Sequence, residues 1–166
     1  MINSTLNYCI LAWGYNIKVL TNIQKRLVRL IVNAKYNSHT EPIFKFLNLL
    51  KLSDIFKLNV FKFYYKYKQG TLPLYFQSYD ITSRHTIHTY NTRHNHKLVC
   101  RHTRTHFARK CLRHSLPSII NSASNSIIEK LSTHSYRGFV DYVKHTILGE
   151  YSYECSLSNC YVCGQR

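Results

Sequence analysis

The sequence predicts an all-α fold: several short helices, a long irregular basic arm and at most a minor β-hairpin. Three observations lead there. Apolar residues in most stretches recur every three to four positions, the period of a helix. Alternating β-branched runs are scarce, which leaves room for no more than a short hairpin around residues 87–100. Residues that start and stop helices (Ser, Thr, Asp, Gly and Pro) stand at the ends of the periodic stretches.

Taken in order, residues 4–13 read as a helix with Leu6, Ile10 and Trp13 on one side and Gly14 as its stop. Met1 stands directly before an apolar pattern already under way, as at an internal start or a truncated reading frame, with an ordinary short N-terminus as the alternative. The next helix is basic and amphipathic. Leu20, Ile23, Leu27, Leu30, Ile31 and Ala34 fall on one face, and Lys25, Arg26 and Arg29 on the other. Thr21 and Gln24 have capping-box spacing near its start. Asn37, Ser38 and His39 break the pattern. Thr40 then reads as the cap of a second helix with Pro42 in its first turn, and Ser53 as the cap of a third with Asp54 against the helix dipole. The third runs over 54–69, with Gly70 suited to the left-handed position that follows. Its two apolar stripes, Phe56/Val60/Phe63/Tyr67 and Leu58/Phe61/Tyr65, predict a central helix packed on both sides. A stacking platform of Tyr64, Tyr65 and Tyr67 for bases is the alternative.

Leu72-Pro73 closes this block. From Ile81 to Ile128 there is no Asp or Glu, while Arg84, Arg93, Lys97, Arg101, Arg104, Arg109, Lys110 and Arg113 stand among seven histidines. The early part lacks periodicity and reads as an arm; Phe107, Ala108, Cys111 and Leu112 read as a short helix ending by Leu116-Pro117. A short helix or turn over Ser126–Leu131 follows, then a last helix over Tyr136–Tyr151. Ser135 caps the last helix, Phe139, Val143 and Ile147 are spaced by four along it, and Gly149 weakens its end. The resulting division is a helical domain over 1–76, the His-rich arm over 77–106, C-terminal helices over 107–151 and a Cys-containing tail over 152–166.

Composition narrows the function. The 166 residues carry 23 Lys and Arg against seven Asp and Glu, a formal +16, which predicts a polyanionic partner. The acid-free stretch is the natural place for phosphate contact. The chain's ten histidines, seven of them in that stretch, add charge at low pH, since an ordinary imidazole titrates near pH ~6.5. Residues 1–14 have neither a basic n-region nor an apolar run long enough for export, and no stretch reaches the length of a membrane span. No membrane partner is expected. The setting is intracellular, cytoplasmic or nuclear, where six cysteines point to metal or burial more than to disulfides.

Cys155-x4-Cys160-x2-Cys163 places three thiols close enough for three corners of a tetrahedral zinc, with His134, His145 or Cys9 as fourth ligand only through tertiary folding. The His pairs 85/88, 94/96 and 102/106 have ligand-like spacing, but ten histidines produce such pairs by chance, among cations that repel a metal. Catalytic machinery is missing from the pattern. Asp54, Asp80 and Asp141 are scattered, there is no Gly-rich phosphate loop, and no Ser, Cys or His arrangement singles out a nucleophile with a base.

Several short runs, in order, resemble the segment after the polymerase core in reverse transcriptases of LINE-like non-LTR retrotransposons, the jockey-like group in particular. They are Tyr8-Cys9 with Ala12-Trp13-Gly14, Gln24-Lys25-Arg26 with Arg29, Asn33-Ala34-Lys35-Tyr36, His39-Thr40-Glu41-Pro42, and Leu49-Leu50-Lys51-Leu52 with Asp54. Tyr90-Asn91-Thr92-Arg93, the run from Arg104 to Lys110 around Phe107-Ala108, and Asn159-Cys160-Tyr161-Val162-Cys163 continue it, so the likeness spans nearly the whole chain. The resemblance implies the thumb and basic tail of an RNA-directed DNA polymerase. The palm, with its Phe/Tyr-x-Asp-Asp aspartates, lies upstream in that family, and no such motif is present here, so no catalytic residue carries over. What carries over is a loose thumb-like bundle gripping RNA or RNA–DNA hybrid by its backbone. Its contacts would be Lys25, Arg26, Arg29, Arg93, Arg101, Arg104, Arg109 and Lys110, with the polymerase palm as a further partner; Arg113 joins them from the charge pattern alone, on the outward face of the short helix with Arg109 and Lys110. The Cys cluster departs from the retroviral CCHC knuckle, having no His within it. The expectation is therefore a noncatalytic fragment without a cofactor unless Cys155, Cys160 and Cys163 hold a structural zinc. A small zinc-stabilised protein-interaction module and a degenerate transposon relic without activity are the alternatives.

Overall fold

The computed structural model of the chain describes residues 7, 9–14, 17–77, 79, 81–87, 93 and 96–151. It is all-α: among these residues the regular structure is nine α-helices and one 3₁₀ turn at Arg84–Thr86, with no strand. In order the helices are α1 (Ile10–Trp13), α2 (Lys18–Ile31), α3 (Thr40–Phe46), α4 (Leu52–Lys68), α5 (Leu74–Gln77), α6 (His106–Lys110), α7 (Leu112–Ser122), α8 (Asn125–Thr133) and α9 (Tyr136–Gly149). The chain divides into two compact units, Met1–Leu58 with Val140–Arg166, and Asn59–Phe139.

In the first unit Ile10, Val28, Ile43, Phe44, Leu52, Ile55, Phe56, Val143, Ile147 and Leu148 form the core. Gly14 stands at the end of α1, where nothing larger fits: a Cβ there would stand 2.6 Å from the Phe56 ring. The ends of α2 and α3 share one device. Asn33 (φ 51°) and Asn48 (φ 53°) take left-handed conformations, and the residues around them satisfy the last carbonyls. Asn33 N–H donates to Leu30 O and Ala34 N–H to Arg29 O; Asn48 N–H donates to Lys45 O and Leu49 N–H to Phe44 O. These are Schellman ends with Asn where Gly is commonest.

The second unit is built on the later part of α4, where Val60, Phe61, Phe63, Tyr64 and Tyr65 are buried together with Leu98, Leu116, Ile120, Ile127, Leu131 and Phe139. Tyr65 stacks on Phe139 at 5.2 Å between ring centroids and donates its hydroxyl to His134 O at 2.8 Å. Phe63 meets the Phe76 ring edge-on at 5.5 Å. Two of the three rings of the supposed stacking platform are thus core. Gly70, at φ 65°, closes α4 with its own N–H on Tyr67 O and that of Thr71 on Lys66 O.

Local expectations differ from the structure in four places. The row Leu20, Ile23, Leu30 and Ile31 of α2 is exposed, Leu30 by 75% and Ile31 by 61%, whereas Gln24 and Val28 are the residues it buries. Thr21 and Gln24 form no capping box: α2 begins at Lys18, and Thr21 donates back to Ile17 O. Thr40 and Ser53 lie within the first turns of α3 and α4, not ahead of them. Pro117 does not end a helix. The chain breaks at Cys111, in extended conformation, and Pro117 sits inside α7 with Ser115, Leu116 and Ile120 buried around it. One missing backbone bond, about 3 kcal/mol in a helix interior, is outweighed there by packing. Where the sequence allows at most a short hairpin, the described residues hold one isolated antiparallel bridge, Ser83 to Leu98. Ser135 does cap α9, accepting from Gly138 N–H at 3.4 Å.

Candidate nucleic-acid interface

The first unit contains a polar cleft of about 440 Å³. Thr21, Lys25 and Arg29, four residues apart on α2, stack along one wall. The segment from Asn37 to Glu41, which turns into α3, and Lys51 with Ser53 at the start of α4 make the other. Three side-chain cations therefore face one carboxylate, among four hydroxyls, two of them on the buried residues Ser38 and Thr40. Such a lining suits an anion with several oxygens, since ammonium, guanidinium and hydroxyl groups all donate to them.

Each wall is held by buried polar contacts. Gln24, only 9% exposed, donates from Nε2 to Leu50 O at 3.0 Å and accepts Leu52 N–H on Oε1 at 2.9 Å. One amide thereby ties α2 to the chain that delivers Lys51. Arg29 donates through Nε to Ser38 O at 2.9 Å, with its guanidinium carbon 5.9 Å from the centre of the Tyr36 ring. Its charge stays in the cleft while its reach is limited. Lys51 pairs with Glu41, and its ammonium lies 4.5 Å from the centre of the Tyr151 ring.

Tyr151 anchors the far side. Its hydroxyl donates to Asp54 Oδ2 at 2.6 Å and accepts the Lys51 N–H at 2.9 Å, while Lys45 Nζ donates to its carbonyl at 2.6 Å. Burial, and then the hydrogen bond to Asp54, push the phenol far above the ordinary tyrosine range, so it remains a donor throughout neutral pH. Asp54 itself is buried and also pairs with Lys57 Nζ at 3.1 Å.

Of the residues the sequence singled out, Lys25 and Arg29 reach this cleft; Arg26, exposed, lies on the next flank of α2. Arg93, Arg101, Arg104, Arg109 and Arg113 are exposed and Lys110 half-buried in the second unit, spread along the arm, α6 and the first turn of α7. Cys155, Cys160 and Cys163 lie outside the described residues, within which no three His, Cys, Asp or Glu side chains come together as a metal site. Lys51, His39, Ser38 and Ser53 were missed as site residues. The signal they gave was their place in the turn before α3 and at the start of α4.

Fold and site together define an all-α protein with a basic, hydroxyl-lined cleft and no helix, among the described residues, long and apolar enough to cross a membrane. No protein-family model, curated protein or solved structure matches the chain.

Proposed function

We propose that this protein binds RNA or an RNA–DNA hybrid through its phosphates, as a noncatalytic piece of a non-LTR retrotransposon reverse transcriptase. The observation that carries the reading is the convergence of Lys25, Arg29 and Lys51 on one hydroxyl-lined cleft in a chain of net charge +16. The resemblance of the short runs around these residues supplies the family. Phosphates bound there release counterions from the strand, which favours association whatever the base sequence. Ser and Thr hydroxyls then fix the register of the backbone. Glu41 neutralises Lys51 in the free protein, so an arriving phosphate competes for that ammonium. This exchange keeps affinity moderate and reversible, as suits a grip that must let a strand slide. The exposed cations at Arg93, Arg101, Arg104, Arg109 and Arg113 extend the footprint in the second unit.

Lys25→Gln is the cleanest test, because the change removes a half-exposed cleft cation and leaves the contacts of Gln24 and Arg29 in place. Anisotropy of a labelled hybrid at fixed salt should show binding weakened about threefold to tenfold, equally for unrelated sequences, as when one phosphate is deprived of its cation. Unchanged affinity in a folded variant would remove the cleft from the interface.

A further inference from the structure

We propose that a second cavity, in the unit formed by Asn59–Phe139, takes a single unpaired guanine of a bound strand. It rests on the nucleic-acid reading above for the strand, but not for the base. The cavity holds about 450 Å³, within the range of roughly 300–1,000 Å³ usual for small-ligand sites. Leu98, Ile120 and Ile128 give it apolar walls, which suit the flat face of a base drawn out of its stack. Lys97 lines the arm side, Asn125 and Glu129 the α8 side.

The arm is fastened where it forms the wall. Asn121 accepts the Leu98 N–H on Oδ1 at 2.8 Å and donates from Nδ2 to Leu98 O at 2.9 Å, so its amide is spent on structure. The polar side chains left to line the cavity are those of Tyr64, His96, Lys97, Asn125 and Glu129, and Glu129 is the one carboxylate among them. Asn125 and Glu129 are one turn apart on α8 and share a face.

Glu129 decides the ligand. It is the first acid after a run of 48 residues, Ile81 to Ile128, that holds none. A carboxylate beside a phosphate track weakens general binding, and so acts as a specificity device. It only accepts hydrogen bonds, on two oxygens. Among the bases, guanine alone offers two adjacent donors, N1–H and the N2 amine, on its Watson–Crick edge. Adenine, cytosine and uracil each meet that carboxylate with at least one acceptor in the neighbouring place. Lys97 then receives a phosphate of the same nucleotide, carried on its ribose.

The test uses 5′-GMP and 5′-AMP as free probes, and ten-nucleotide uridine RNAs carrying one central G or A, on the full chain. GMP should shift the amide resonances of Asn125 and Glu129, and AMP should not. The G-containing RNA should bind about tenfold tighter than the A-containing one, the discrimination of a modest bidentate base contact. Glu129→Gln and Asn125→Ala, both at exposed positions, should bring that ratio near one with helical circular dichroism unchanged. Silence of both amides towards GMP, or a preference that survives both substitutions, overturns the proposal. RNAs that bind equally well while GMP is silent would sink the guanine site and leave the cleft standing. RNAs that fail to bind while GMP shifts the two amides would sink the cleft and leave the guanine site.

Discussion

At the scale of single residues, the hydroxyl of Tyr151 gives to Asp54 and takes from the backbone of Lys51, so one side chain fixes the first turn of α4 and a cleft cation together. The consequence is alkaline lability. A tyrosine in the unfolded chain ionises near pH ~10, whereas burial and Asp54 hold Tyr151 protonated well above that. Below pH ~10 both states keep the proton and the full stabilisation is present; above it the unfolded chain alone loses one. Stability should therefore fall as pH climbs beyond 10, by at most about 1.4 kcal/mol per unit from this group. Urea unfolding from pH 8 to 11 checks it: Tyr151→Phe should be less stable at pH 8 by about 1–3 kcal/mol, since buried Asp54 is deprived of its hydrogen bond, and should show the shallower decline. An equal decline in both proteins would assign the effect elsewhere. Gln24 belongs at the same scale. Its sequence position suggests a helix cap, yet both ends of its amide are used on backbone groups 26 and 28 residues away. Nothing local in a sequence announces such a bond.

At the scale of elements, α2 shows what periodicity conveys and what it leaves out. The spacing of Leu20, Ile23, Leu27, Leu30 and Ile31 reveals a helix and its apolar face, but a period does not say which face is covered. The covered flank is the one where Gln24 and Val28 meet the core. An exposed apolar row on a charged helix has the character of a surface that another apolar surface covers. Leu30→Ser should accordingly change stability by no more than about 0.5 kcal/mol, while Phe44→Ala, at a fully buried position, should cost about 3–5 kcal/mol. Thermal and urea unfolding of the two variants distinguishes them, and a large loss at Leu30 would place that side chain in the core. The long central helix, its Gly70 end and the Ser135 cap are legible because each is local: a run of a few residues whose own conformational preference matches the fold. Pro117 misleads for the converse reason, since burial of α7 overrides the local rule.

At the scale of the whole molecule, the charge of +16 is the largest single fact of the sequence, and it sets how binding must respond to ions. The composition predicts a polyanionic partner, and two of the cleft's three cations, Lys25 and Arg29, are legible in the sequence. Lys51 stays hidden because its place depends on Gln24, Glu41 and Tyr151, which only the folded chain gathers. The central claim is that cleft phosphates carry the affinity. Its most direct measurement is the slope of log affinity against log salt for a single-stranded RNA, in the native chain and in the triple variant Lys25→Gln, Arg29→Gln, Lys51→Gln. A steep negative slope is predicted for the native chain, and a slope shallower by about two, at roughly 0.7 for each phosphate no longer neutralised, for the folded triple variant. Binding that ignores salt, or a slope left unchanged by the three substitutions, would contradict it.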